Sequence, residues 1–173
     1  METGVNMLKI VNSLEPWVFS VLLKICSESL RIHPETVNVN FELSVADMHK
    51  VRSYYEDLTL FFQEDRGKLF LWEEEGEFVS ACRVEFEQRS CVLHDLETKP
   101  NVRRKGNGRK LLTATISYLE DLGCDKIVVH VKKSNRPSLA LHTAVGFTKV
   151  KDTAHLLDGT VSSSYITMEY DII

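Results

Sequence analysis

The chain is 173 residues long, 43% hydrophobic and 27% charged, a make-up that predicts one globular domain over 1–173 with a sizeable core. Against 21 Lys and Arg stand 25 Asp and Glu, and the net charge of −4 argues against a dedicated nucleic-acid binder. No apolar run reaches the roughly 18 residues of a membrane-spanning helix, and METGVNMLKIVNSLEPWV lacks the basic start and apolar centre of a secretory signal. A cytoplasmic protein without a membrane partner is expected. Cys26, Cys82, Cys91 and Cys124 follow no CxxC or Cys/His ligand spacing, which predicts reduced, buried thiols and no metal site.

In chain order, MLKIVNSL reads as a first strand, and PWVFSVLLKICSESL has apolar residues at helical spacing. Pro34 interrupts, and SVADMHKVRSYYEDL predicts a second helix with Ser44 as its N-cap. KLFLWEEEGEFVSACRVEFE reads as a hairpin turning at Gly76, and SCVLHDLET as a strand that stops before Pro100. Leu112, Ile116, Leu119 and Leu122 fall one helical turn apart, with Gly123 as the stop. DKIVVHVKK is a β-branched strand, and SNRPSLALHTAVG a helix with Pro137 in its first turn and Gly146 at its end. FTKVKDTAHLL and SSSYITMEYDI close the chain as a hairpin around Asp158–Gly159. The alternation of elements gives an α/β or α+β class with a mixed sheet.

The segment NVRRKGNGRK, residues 101–110, sets five basic side chains and two glycines between a strand and a helix. A helix start offers unpaired N–H groups and partial positive charge, which suits a phosphate. Gly106 and Gly108 leave out the Cβ atoms that would hold a diphosphate away from the backbone, and Arg103, Arg104, Lys105 and Arg109 add charge. A nucleic-acid patch would use the charges but has no need of the paired glycines. Neither the GxxxxGK[ST] loop nor the GxGxxG fingerprint occurs here.

What does occur is R-x-x-G-x-G at Arg103, Gly106 and Gly108. It resembles the loop that binds the acetyl-CoA pyrophosphate in the GNAT superfamily of N-acetyltransferases. NRPSLALHTAVGF, residues 135–147, resembles the second signature of that family, N-x-x-A-x-x-L-Y-x-x-x-G-F, with Ser138 for alanine and His142 for tyrosine. LHDLETKPNVRRKGNG resembles its fourth strand and loop, and the order of elements agrees from about residue 68 onward.

The resemblance implies a GNAT-type mixed, mostly antiparallel sheet with a splayed parallel central pair, flanked by helices. It implies acetyl-CoA as co-substrate, no metal, and a small-molecule or peptide amine as acceptor, with a homodimer left open. The pantetheine would pair with backbone at Leu96 and Thr98, the pyrophosphate would lie along Arg103, Arg104, Lys105, Gly106, Asn107, Gly108 and Arg109, and Asn135 would hold the pantetheine arm. A solvated role for Arg103 and Lys105 and a helix-capping role for Asn135 are the plainer alternatives.

Transfer to an alkyl ammonium requires a base, because deprotonating a group of pKa near 10.4 at neutral pH costs about 4–5 kcal/mol. His94, Asp95 and Glu97 are the candidates. Regular alternation would put His94 and Leu96 on one face of the strand and Asp95 and Glu97 on the other. His142 stands where the family often has the acid that protonates the departing thiolate, and an imidazole packing beside the cofactor is the alternative. Tyr165 and Tyr170 are the substitutes. WEEEGE, residues 72–77, reads as a solvated turn before it reads as a polyamine lure. A non-catalytic acyl-CoA sensor is the competing function.

Overall fold

A computed structural model describes residues 6–32, 45–156 and 159–172. The elements are β1 (Met7–Val11), α1 (Pro16–Ile25), α2 (Val45–Gln63), β2 (Gly67–Glu74), β3 (Glu77–Glu87), β4 (Ser90–Thr98), α3 (Asn107–Asp121), β5 (Lys126–Lys132), α4 (Arg136–Val145), β6 (Thr148–Lys151), β7 (Ala154–His155), β8 (Val161–Ser162) and β9 (Tyr165–Asp171). Among the described residues, seven strands form one sheet in the order β1-β2-β3-β4-β5-β9-β6, and β7 and β8 form a separate ribbon. The β4–β5 pair is parallel, while β1–β2, β5–β9 and β6–β9 are antiparallel. The mixed, mostly antiparallel sheet with helices matches the expected class.

Two compact units make up the chain, and β3, β4 and α3 each give residues to both. The first holds the residues through Arg83 together with Asp95–Leu111. Its core buries Val18, Leu22 and Leu23 of α1, Leu58 of α2, and Leu69 and Leu71 of β2. A fully buried aliphatic side chain of this kind contributes about 1.5–3 kcal/mol. The second unit holds Val84–His94 and everything from Leu112 onward. It buries Cys91 and Leu93 of β4, Leu119 of α3, Ile127 and Val129 of β5, and Met168 of β9.

Several boundaries differ from the sequence reading. Helix α1 stops at Ile25, with Cys26 as C-cap, although the apolar spacing predicts helix to Leu30. The hydroxyls of Ser27 and Ser29 donate to the carbonyls of Lys24 and Cys26, the competition with helix that serines offer. Arg31 then takes a positive φ of 53°. At the other end, the described residues from Phe147 to Leu156 are not one strand. They split at Asp152–Thr153 into β6, which pairs with β9, and β7, which pairs with β8. Pro34, the Ser44 cap and Asp158 of the last turn lie outside the described residues. The β2–β3 turn has positive φ at both Glu75 and Gly76, 53° and 82°, which suits the right-handed twist of a tight hairpin.

Candidate active site

The parallel pairing of β4 with β5 runs from Ser90–Lys126 to Leu93–Val129 and stops there. Strand β4 continues to Thr98, so its last residues lie beyond the final paired position. At this point Asp95 adopts φ 52°, a left-handed conformation that an aspartate tolerates better than most residues and a regular strand does not contain. The simple alternation expected across His94–Glu97 is therefore interrupted at Asp95.

Each candidate base has its own surroundings. In the first unit, the Asp95 carboxylate accepts from Arg83 Nε at 2.6 Å. Arg83 also donates to Asp57 at 2.8 Å and sits 5.3 Å from the centre of the Phe61 ring. Glu97 is half-buried, and burial raises its carboxyl above the ordinary value, against the lowering effects of Ser29 and Arg103. In the second unit, His94 places Nε2 3.6 Å from the Glu85 carboxylate.

The loop after β4 makes a 3-10 turn at Pro100–Val102, then passes through positive φ at Arg104 (63°) and Gly106 (84°) into α3. A Cβ at Gly106 would meet nothing of the protein within 4 Å, so the space above this glycine is open. Lys110 N–H donates to the Gly106 carbonyl at 2.9 Å, closing the first helical turn. The N–H groups of Asn107, Gly108 and Arg109 precede that bond and have no partner within the helix by its geometry. Asn107 is buried, its Nδ2 donates to the Val102 carbonyl at 3.4 Å, and its Oδ1 has no hydrogen-bond partner. Arg104, Lys105 and Arg109 are exposed, as free cations around an anion cradle would be.

Arg103 behaves differently from those three. Its Nε donates to the Thr98 carbonyl at 2.9 Å, and its guanidinium is ion-paired with Glu28 and lies 3.7 Å from Glu97. Glu28 and Ser29, on the turn after α1, had no signal in the sequence, because only the fold brings them to the motif loop. Glu74 of the WEEEGE run accepts from Trp72 at 2.9 Å and from Lys110 at 2.6 Å. Those bonds tie the end of β2 to the first turn of α3, while Glu75 and Glu77 of the same run are exposed.

In the second unit, Asn135 caps α4, its side chain accepting from Ser138 N–H at 3.2 Å. Gly146 closes the helix at φ 120°, where a Cβ would stand 3.1 Å from the Tyr170 ring. His142 is 1% exposed. Its Nδ1 lies 2.8 Å from the Ser138 carbonyl and therefore carries the proton, which leaves Nε2 as a buried lone pair without a partner. Phe147 meets the ring edge-on at 5.1 Å. Burial lowers the pKa of His142, partly offset by the Ser138 carbonyl. All four cysteines are buried, and burial pushes the Cys26 and Cys91 thiols up to about 12. No group of three or more ligating side chains fit for a metal ion occurs among the described residues.

A helix start with open space over the glycine that precedes it suits a phosphorylated ligand. The chain belongs to the GNAT acetyltransferases: the model of the Acetyltransferase (GNAT) family matches residues 37–147. An N-acetyltransferase 9-like protein of Schizosaccharomyces pombe is 28% identical over 117 residues, covering 62% of this chain and 54% of that protein. The chain thus spans about half the length of that relative. The Escherichia coli ribosomal-protein-S18-alanine N-acetyltransferase is similar in fold, with a TM-score of 0.64 at 22% identity over 96% of this chain and 94% of that one. PseH of Campylobacter jejuni, solved with acetyl coenzyme A, has a TM-score of 0.64 at 18% identity over 96% and 99%.

Proposed function

We propose that the chain acts as one domain, an acetyl-CoA-dependent N-acetyltransferase moving an acetyl group to an amine of a small molecule or peptide. The observation that carries this is the end of β4. Pairing with β5 stops at Leu93–Val129, β4 runs on to Thr98, and the glycine-bearing start of α3 follows within ten residues. Backbone freed from a ladder can bond the amides of a pantetheine, here at Leu96 and Thr98. The helix-start amides of Asn107, Gly108 and Arg109, with Arg104, Lys105 and the open space over Gly106, receive the diphosphate. Arg103 reaches the same anion if it leaves Glu28 and Glu97. Asn135 has a spare amide N–H₂ for the pantetheine while its oxygen caps α4.

Transfer is direct. The amine nitrogen attacks the thioester carbon, the C–S bond breaks, and the thiolate leaves. Asp95 and Glu97, each beside an arginine, draw the acceptor ammonium, and His94 stands at the same stretch of β4. His142 attends the sulfur. Its free nitrogen is Nε2, which as imidazolium gives a proton to the thiolate and as neutral ring accepts from the thiol. A location in the cytoplasm fits reduced thiols. The test is a screen of amino acids, polyamines, aminoglycosides and peptide N-termini with thiol detection. Amine-dependent CoA release is expected for one class. Acetyl-CoA binding with no release for any acceptor would leave only a sensor.

A further inference from the structure

His130 lies on β5 one residue past Val129, the last position paired with β4, as His94 lies one residue past Leu93. Directly opposite His130 on β9 is Thr167, and the two side chains meet, Thr167 Oγ standing 3.2 Å from His130 Nδ1. Thr167 is buried, and its hydroxyl donates its one proton to the Thr153 carbonyl at 2.7 Å. Its oxygen can then only accept, so His130 Nδ1 carries the proton and Nε2 carries the lone pair. That is the arrangement of a nitrogen base oriented by a third group: lone pair on one nitrogen, the other nitrogen anchored to a fixed acceptor. The anchor is itself locked to backbone, at the split that divides β6 from β7.

The surroundings keep the ring neutral. Burial is the main cause of its lowered pKa, with the neighbouring His94 on β4, His155 on β7 and Lys151 on β6 acting the same way and Glu87 on β3 opposing them. Nothing in the loop or the cofactor residues already described uses this ring.

We propose that His130 is the general base of the acetyl transfer, with Thr167 as the positioning residue that fixes its tautomer. The inference rests on the acetyltransferase reading above and deepens it. The acceptor ammonium gives one proton to His130 Nε2, directly or through one water, and its nitrogen then attacks the thioester carbon. The C–S bond breaks, the second N–H proton passes to the thiolate, directly or through Nε2 of His142, and the His130 imidazolium returns its proton to solvent.

Two measurements decide it. The first needs no acceptor. In long-range ¹H–¹⁵N spectra of the full chain at pH 7, His130 should be neutral with the proton on Nδ1, and Thr167→Val should mix the tautomers. A cationic ring, or a proton on Nε2, overturns the proposal. The second is the pH profile of kcat/KM with an acceptor found by the screen. The wild type should lose rate on acidification through a value below the ordinary 6.5 of histidine. His130→Gln should remove that limb and lower kcat by about 10²-fold or more, with acetyl-CoA affinity unchanged. Thr167→Val should lower kcat while leaving KM for acetyl-CoA alone. A His130→Gln enzyme that keeps kcat and the acidic limb refutes the base. A wild-type chain that binds no acetyl-CoA refutes the acetyltransferase reading instead, and the base role with it.

Discussion

Asn135 carries two assignments, and they can be pulled apart. Its side-chain oxygen accepts from Ser138 N–H at 3.2 Å, satisfying one of the donors exposed at the start of α4. Its amide nitrogen is the group proposed to meet the pantetheine. Asn135→Ala removes both, and loss of the cap costs about 1 kcal/mol. For a chain of 173 residues, that corresponds to a drop of about 2–4 °C in Tm. Asn135→Asp keeps an acceptor at the cap, adds a favourable negative charge at the helix start, and removes only the donor. Its Tm should equal or exceed that of the wild type. Its acetyl-CoA Kd should rise, since one lost hydrogen bond of about 0.5–1.5 kcal/mol is a factor of about 2–10. Differential scanning calorimetry and titration calorimetry on the same three proteins give both numbers. If the Asp variant melts as low as the Ala variant, the cap does not stabilise α4. If it binds acetyl-CoA as tightly as the wild type, the donor role fails.

At Gly106, φ of 84° makes valine strained by about 1–3 kcal/mol, yet the protein itself leaves room for the side chain. Gly106→Val should therefore still fold and lose acetyl-CoA binding by calorimetry, and normal binding would move the cradle elsewhere. Burial keeps the Cys26 and Cys91 thiols protonated at neutral pH, so Cys91→Ala should hold turnover within a few-fold, and mass spectrometry should find no acetyl thioester on any cysteine. The lowered pKa of His142 means that the unfolded chain binds the proton first as pH falls. Its contribution is whole above about pH 6.5 and is lost below it, by about 1.4 kcal/mol per pH unit until the native ring charges. His142→Phe should flatten that part of a urea-unfolding pH series, and an unchanged slope would show that the buried ring does not drive it.

Much of the fold was legible because its signals are local. Apolar spacing, Pro137 and Gly146 mark α4, and the β-branched run marks β5, without reference to any other segment. The motif loop was legible for the same reason, with chemistry and backbone freedom packed into residues 101–110. The end of α1 was not, since apolar spacing continues past Cys26 while the serine hydroxyls that cap the turn compete on equal terms with helix. Nor was Asp95, whose strand carries no glycine to announce a left-handed residue. Arg103 reads as a phosphate ligand by its motif, and only tertiary structure reveals Glu28 as its partner. His130 gave no signal for a related reason. Its tautomer depends on Thr167 and Thr153, which reach it only through strand pairing.

Strand β6 shows how one border of the sheet is finished. It is the last strand of the sheet, four residues long, exposed throughout, and reads TKVK. Its register against β9 slips between Lys149 and Lys151. Another chain adding to this edge would have to bring its backbone past two ammonium groups and an irregular row of hydrogen-bonding positions, both of which oppose strand addition. A second sheet meeting this border would therefore touch lysine side chains before it reached any backbone.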